Sequence, residues 1–318
     1  MNRQLVMCGV LSAMLAGCSS AEQGAAAPGV AVDEPDVPAV IVAERGGFIP
    51  EGVEYDTANG RILTGSISEG SIFQIGNDGA VTAVVTDADL ISSVGIEVDE
   101  ERDRLLVANS DRSVFEEDGA GQAKLGVYRL STGERLAMVD LAAAVADAPA
   151  DAVYFANDVA VGGDGTAYVT DSRMNIVYAV SPEYEPSVLY RLRATEGLML
   201  NGIVYHPDGY LLVTGGSTLY KMPIAAPEAV MPVTLPEAVP GQDGMVWTAD
   251  GRLAIVSNSD NRVVALRSED DWATAEIAGV APFDVQATTA AAVGSRIYVV
   301  HPHFGDAEPP SVARVIFE

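Results

Sequence analysis

Short apolar runs with alternating polar positions, punctuated by Asp-Gly or Asn-Gly pairs, recur along most of this chain. The clearest copy is Ala156 to Asp171 (ANDVAVGGDGTAYVTD), and the same pattern returns at Leu200 to Thr214 (LNGIVYHPDGYLLVT) and Gln242 to Ser257 (QDGMVWTADGRLAIVS). Each copy has one polar residue (Asn157, Asn201, Asp243), an alternating run, a tight turn, and a second run rich in β-branched residues, which together predict a β-hairpin. Asn157 and Asn201 are 44 positions apart, and Asn201 and Asp243 are 42 apart. That period matches propeller blades, in which each repeat is one small antiparallel sheet.

Weaker copies stand at Pro50 to Gly65 (PEGVEYDTANGRILTG) and Ser93 to Asn109 (SVGIEVDEERDRLLVAN), and outer strands such as SIFQIG, KLGVYRLS and NIVYAVS follow the hairpins. Counting repeat starts at Glu51, Val94, Asn157, Asn201, Asp243 and about Thr288 gives an all-β, six-bladed β-propeller. The last repeat is short of strands, whereas Ala39 to Ala43 (AVIVA) is a strand with no hairpin of its own. Pairing the two closes the ring and removes exposed sheet edges. The long interval between Val94 and Asn157 holds two insertions, the acidic loop Asp111 to Lys124 and the Ala-rich Leu141 to Val153. The second is expected to form a short helix, and both are expected to lie over the channel mouth as a lid.

Equivalent positions at the start of the innermost strands of a radial array converge on the mouth of its central channel. Of the five aligned positions Glu51, Val94, Asn157, Asn201 and Asp243, four carry side-chain oxygens. Two carboxylates and two amides at one point suit a hard cation such as calcium, or another divalent ion; singly, such residues also cap strands and make turns. Antiparallel alternation places the turn after each second strand on the same side, at Ser66 to Gly70, Asn109 to Arg112, Asp171 to Asn175, Gly215 to Ser217, Ser257 to Asn261 and His301 to Gly305. His301 and His303 in the last of these turns are candidate proton shuttles or substrate contacts, or simply part of a solvated turn. His206, in a hairpin turn on the opposite face, reads as structural.

The first residues change the picture of where the protein works. Arg3, the apolar Leu5 to Ala16 and the small-residue string LAGC at Leu15 to Cys18 form a secretory signal with the pattern of a bacterial lipobox. Residues 1–17 are therefore expected to be removed and Cys18 lipidated, leaving the folded part without cysteine, since Cys8 and Cys18 are the chain's two. Residues 18–38, rich in Ala, Gly, Pro and acids, read as a flexible tether, and 39–318 as one propeller domain. The expected location is the bacterial cell envelope, on the outer membrane facing the periplasm, with membrane attachment through the lipid alone. The formal net charge is −27, and removal of Arg3 with the signal makes it −28. Such a surface repels phosphate backbones, which argues against nucleic-acid binding; a monomer acting on a small molecule is the expectation.

The strings PEGVEYD, ANDVAVGGDGTAYVTD, LNGIVYHPDG and QDGMVWTADGRL resemble the regucalcin/gluconolactonase family of six-bladed propellers and, more distantly, the paraoxonase and diisopropyl fluorophosphatase enzymes. The resemblance runs from about Pro50 to the C-terminus. It implies a divalent metal, usually calcium, held by Glu51, Asn157, Asn201 and Asp243, with no ligand from the second blade, where Val94 stands. It also implies a direct catalytic part for Asp243 as base or nucleophile. One departure bears on substrate: where family members acting on sugar-acid lactones often carry an Arg two residues before the blade-three Asn, this chain has Phe155. That disfavours a hydrophilic sugar lactone. Tyr154, Phe155, Met199, Met245 and Trp247 are candidates for an apolar pocket, the last two also for packing between blades.

Two functions follow. One is a calcium-dependent hydrolase of a fairly apolar lactone, ester or phosphotriester. The other is a non-catalytic, lipid-anchored propeller that binds a partner or ligand and uses calcium only to stiffen its hub. A Ser-centred nucleophile elbow, a zinc-spaced His pair and a Gly-rich phosphate loop are all missing from the sequence.

Overall fold

The computed structural model describes residues 34–116, 119–305 and 308–318. The signal segment, Cys8, Cys18 and most of the expected tether lie outside these residues. Six sheets share one axis. Their innermost strands are Val53–Asp56, Ser92–Asp99, Tyr154–Val161, Leu200–His206, Gln242–Trp247 and Ala290–Val293. Each pairs antiparallel with the next strand in sequence, as the alternating runs require.

Between every two neighbouring blades lies an apolar cluster. Leu63 and Ile72 of blade one meet Ile96 and Leu105 of blade two, for instance, and Val256 and Val263 of blade five meet Val299 of blade six. The core is thus divided into wedges around the axis, each fed by the facing sides of two sheets, so both faces of every sheet are covered. This division explains why the runs at Val169, Leu211 to Val213 and Leu253 to Val256 are continuously apolar.

Val40–Val42 pairs antiparallel with Ser311–Arg314, so the N-terminal strand completes the last blade as expected. Residues 34–38, read from sequence as the end of the tether, pack against the last blade. Val37 is buried, its carbonyl accepts from the Tyr298 hydroxyl at 2.9 Å, and the Glu34 carboxylate accepts from the Ser295 N–H at 3.2 Å. Composition misleads here because one apolar residue between two prolines is enough to dock an extended segment.

The Ala-rich insertion is a second difference. It contains only the single 3₁₀ turn Ala142–Ala144, too short to be an α-helix. The acidic insertion instead forms the 3₁₀ turn Arg112–Phe115, capped by Asp111, whose carboxylate accepts from the Ser113 N–H at 3.0 Å. It then adds the short strand Gly121–Gln122, paired parallel to Tyr154–Phe155. Gly121 has φ +60°, and a Cβ there would meet the Tyr154 carbonyl and the Val114 side chain, so only glycine seats this strand.

Candidate functional site at the channel mouth

In four of the six blades the pairing of the innermost strand with its neighbour is interrupted at one place. The register shifts between Ser93 and Ile96, Ala156 and Val159, Leu200 and Ile203, and Gln242 and Met245. These bulges sit on Val94, Asn157, Asn201 and Asp243, the positions aligned from sequence. A bulge frees a residue from the ladder and re-aims its side chain, here into the channel mouth. Threonines of the second strands satisfy the released backbone: Thr170 Oγ1 donates to the Asn201 carbonyl at 2.6 Å, and Thr214 Oγ1 to that of Asp243 at 3.2 Å. The residue after the bulge must let adjacent blades approach. A Cβ on Gly95 would lie 2.4 Å from Asp158 Oδ1, and one on Gly244 would lie 2.5 Å from Thr289 Oγ1.

All six equivalent positions line one cavity of about 330 Å³: Glu51, Val94, Asn157, Asn201, Asp243 and Thr288. Thr288 was used in the sequence only to count blades. Its hydroxyl donates to the Glu51 carbonyl at 2.8 Å and closes the ring between the last blade and the first. The mouth-side turns contribute Ile67, Arg112, Ser172, Asn258 and Phe304 to the same cavity, so five of the six expected turns reach it. Phe155 and Met199 line it as expected; Met245 and Trp247 line a second cavity at the other end of the channel, and Tyr154 lines neither.

The polar groups at the bottom are largely buried: Glu51 is 7%, Asn157 8% and Asp243 3% exposed. Their contacts leave a defined remainder. Asn258 Nδ2 donates to Asp243 Oδ2 at 2.6 Å, and Asn157 Nδ2 donates to Ser172 Oγ at 3.0 Å. Asp243 Oδ1, Asn157 Oδ1 and Glu51 Oε2 are buried acceptors with no hydrogen-bond partner. Burial pushes the Asp243 carboxyl up to about 7, and burial together with the Asp243 charge pushes Glu51 well above the usual carboxylate range. Three orphaned oxygens, two of them on carboxylates that repel one another, fit a hard divalent cation, which satisfies the lone pairs and reverses the charge balance. Among the described residues no three of His, Cys, Asp and Glu gather at metal-binding spacing; this donor set depends on its amides.

The two histidines do not face the cavity. His301 is buried at the end of its strand, with Nδ1 3.1 Å from the Gln286 carbonyl and its ring edge-on to Phe283 at 5.0 Å. Burial holds its pKa below the ordinary value. His303 has φ +52° and directs Nδ1 towards Glu308 at 3.7 Å. Phe304, the next residue, takes the place at the mouth. Pattern alone could not choose between them, because the turn's left-handed residue decides which side chain swings inward. His206 stacks on Tyr210 at 4.4 Å between centroids, the structural role expected of it.

Fold and site together define a six-bladed propeller with an oxygen-lined channel mouth. No protein-family model matches the chain, and no curated protein matches it. Solved structures do. The major allergen Mala s 1 of Malassezia sympodialis superposes with a TM-score of 0.74 at 18% identity, covering 88% of this chain and 96% of its own. The PQQ-bound aldose sugar dehydrogenase of Streptomyces coelicolor gives 0.61 at 13%, covering 89% and 100%. A luciferin-regenerating enzyme gives 0.61 at 12%, covering 87% and 94%. An allergen and two enzymes of different chemistry share this architecture, so the likeness shows the fold and leaves function to the site. The narrower resemblance to regucalcin and gluconolactonase is carried by the motif strings alone.

Proposed function

We propose that the protein is a hydrolase of the lactonase, esterase or phosphotriesterase type that depends on calcium or a similar divalent cation held by Glu51, Asn157, Asn201 and Asp243. The observation that carries this reading is the trio of buried, unpartnered oxygens Glu51 Oε2, Asn157 Oδ1 and Asp243 Oδ1 around one cavity. An unpaired buried acceptor costs about 1–3 kcal/mol, more when charged, and a fold that keeps three together is built for something that fills them.

A cation bound there supplies Lewis-acid polarisation of a carbonyl or phosphoryl oxygen. The chain's own residues do the rest. Asn258 grips Oδ2 of Asp243 and leaves Oδ1 turned to the cavity, oriented to take a proton from water or to attack the substrate itself. Ser172 fixes the Asn157 amide by accepting from its Nδ2, which points Oδ1 inward. Asp171, accepting from the Phe155 N–H at 3.1 Å, holds that residue at the mouth. We further propose that lipidated Cys18 anchors the propeller in the cell envelope.

Calorimetry with calcium, followed by a screen of lactones, aryl esters and phosphotriesters with and without chelator, tests the reading. Glu51→Ala and Asp243→Ala should each weaken calcium binding more than Asn157→Ala, since each removes a formal charge. Unchanged affinity in both would refute the site; tight calcium binding without turnover on any substrate class would favour the binding-propeller function instead.

A further inference from the structure

The cavity at the mouth is polar only at its bottom. Its upper wall carries Phe115, Met199 and Phe304, which are 52%, 42% and 44% exposed, with Phe155, Val94 and Ile67 beneath them. Soluble proteins scatter single apolar residues over their surface, but three large ones around one opening mark a binding site. Arg112 is the one cationic side chain among the described residues lining the cavity, and it is paired with Glu116. The lining itself therefore offers no unpaired positive charge to an anionic ligand.

Phe115 comes from the blade-two insertion, and the rest of the chain holds it in place. Its ring stands edge-on to Phe155 at 4.9 Å, and the Arg173 guanidinium lies 4.9 Å from its centroid. Arg173 Nη2 also donates to the Val114 carbonyl at 2.9 Å, while the Val114 side chain is buried against Val94 and Phe155. A half-exposed phenylalanine that is fixed by an aromatic contact and a stacked cation is a preformed surface for an apolar group.

We infer that the substrate is an uncharged ester or lactone with one polar reactive head and an aryl or medium-length alkyl group, and that Phe115 is the residue that selects for that group. The head reaches the Glu51 and Asp243 end of the cavity, and the apolar part lies against Phe115, Phe155 and Phe304. The ester or lactone arm of this inference rests on the hydrolase reading above; the apolar wall rests on the cavity itself.

The test uses two pairs of probes with the full-length protein in calcium. The first pair is γ-undecalactone and γ-butyrolactone, compared by kcat/KM. The second is N-octylpyrrolidone and pyrrolidone, lactams that report binding without turnover, compared by calorimetry. Wild type should prefer the long member of each pair, and Phe115→Ala should reduce both preferences by about tenfold, the scale of a lost apolar contact. Phe115→Leu should restore most of the difference. Ile316→Ser, at an exposed apolar residue lining a different cavity, should change neither. Equal values for long and short lactams, or a preference unaltered in Phe115→Ala, would overturn the inference whether or not lactones are hydrolysed. Selective binding of N-octylpyrrolidone that is lost in Phe115→Ala, with no lactone, aryl ester or phosphotriester turned over, would support the apolar wall and overturn the hydrolase reading.

Discussion

Replacing Glu54 by Gln should stabilise the protein near pH 8 and leave it almost unchanged near pH 5, an unusual sign for removal of a surface-reachable carboxylate. Glu54, Glu97 and Asp158 face one another across a cavity of about 220 Å³ at the far end of the channel, and no Lys, Arg or His lines it. Arg102 and Arg104, in the same blade as Glu97, are held by Asp99 at 3.2 and 2.6 Å. Burial, and then the Asp158 charge, pushes Glu54 up to about 8; burial and the Glu54 charge push Glu97 well above the usual range.

A folded-state pKa above the unfolded value means that the native state binds the extra proton. The stability contributed is complete below about pH 4.5 and is lost as the pH rises towards 8. The full shift would correspond to about 5 kcal/mol. Glu54 faces a cavity open to water and shares its proton with two neighbours, so roughly 1–3 kcal/mol at pH 8 is the expectation. Glu54→Gln keeps the shape and removes the charge, so it should recover that amount. Urea unfolding in chelator, at several pH values between these limits, reads the difference directly as a midpoint shift at constant slope. Equal destabilisation by Glu54→Gln at both ends of the range would show that the carboxylate is ionised with a favourable partner, and the reasoning would fail.

Three further outcomes are expected. Asp243→Asn with calcium saturating should lower kcat by about a hundredfold or more on any substrate that the protein hydrolyses, the range a positioned base supplies; near wild-type turnover would remove Asp243 from the chemistry. Deletion through Val42 should lower Tm markedly because it strips a strand from the last blade and unpairs Ser311–Arg314, and deletion through Pro38 should lower it less but measurably through loss of the Val37 contacts; a Tm equal to the full chain in both would count against closure by this strand. Mass spectrometry of the mature protein should find a lipid-modified Cys18 as the first residue, and an unmodified terminus or a cut elsewhere would reject the anchor.

The blades and the ring were legible because both depend on local pattern. A hairpin with an Asp-Gly turn declares itself, and aligning three copies on that turn places Asn157, Asn201 and Asp243 in register without any tertiary knowledge. The sixth position was counted but not recognised as part of the site, since Thr288 precedes a small-residue strand that has no Asp-Gly turn. Phe115 and Phe304 were not legible at all. Phe115 sits in an irregular loop whose direction is set by Arg173 and by a strand that needs glycine at 121, and Phe304 faces inward because His303 is left-handed. Both depend on loop geometry that no periodicity encodes.

The spacing within the innermost strands also explains why one channel holds two acidic ends with different chemistry. Three residues beyond five of the six ring positions the strand has advanced about 10 Å, and the residues found there are Glu54, Glu97, Ala160, Val204 and Val246, all lining the far cavity. Glu51 and Asp243 at the mouth share their cavity with two amides and a hydroxyl, neutral oxygens that would complete a shell around the proposed cation. Glu54 and Glu97 share the far cavity with a third acid, Asp158, and mostly apolar side chains, and burial with this mutual charge raises both above the usual carboxylate range. Asp158 stands between the two sets, both of its oxygens occupied by the Val159 and Ile203 N–H groups at 2.9 and 3.2 Å. Those two bonds hold its carboxylate against the backbone where it still lines the far cavity, and its charge adds to burial in raising the pKa of Glu54 and Glu97 there and of Glu51 and Asp243 at the mouth, so the two acidic ends of the channel are coupled through Asp158.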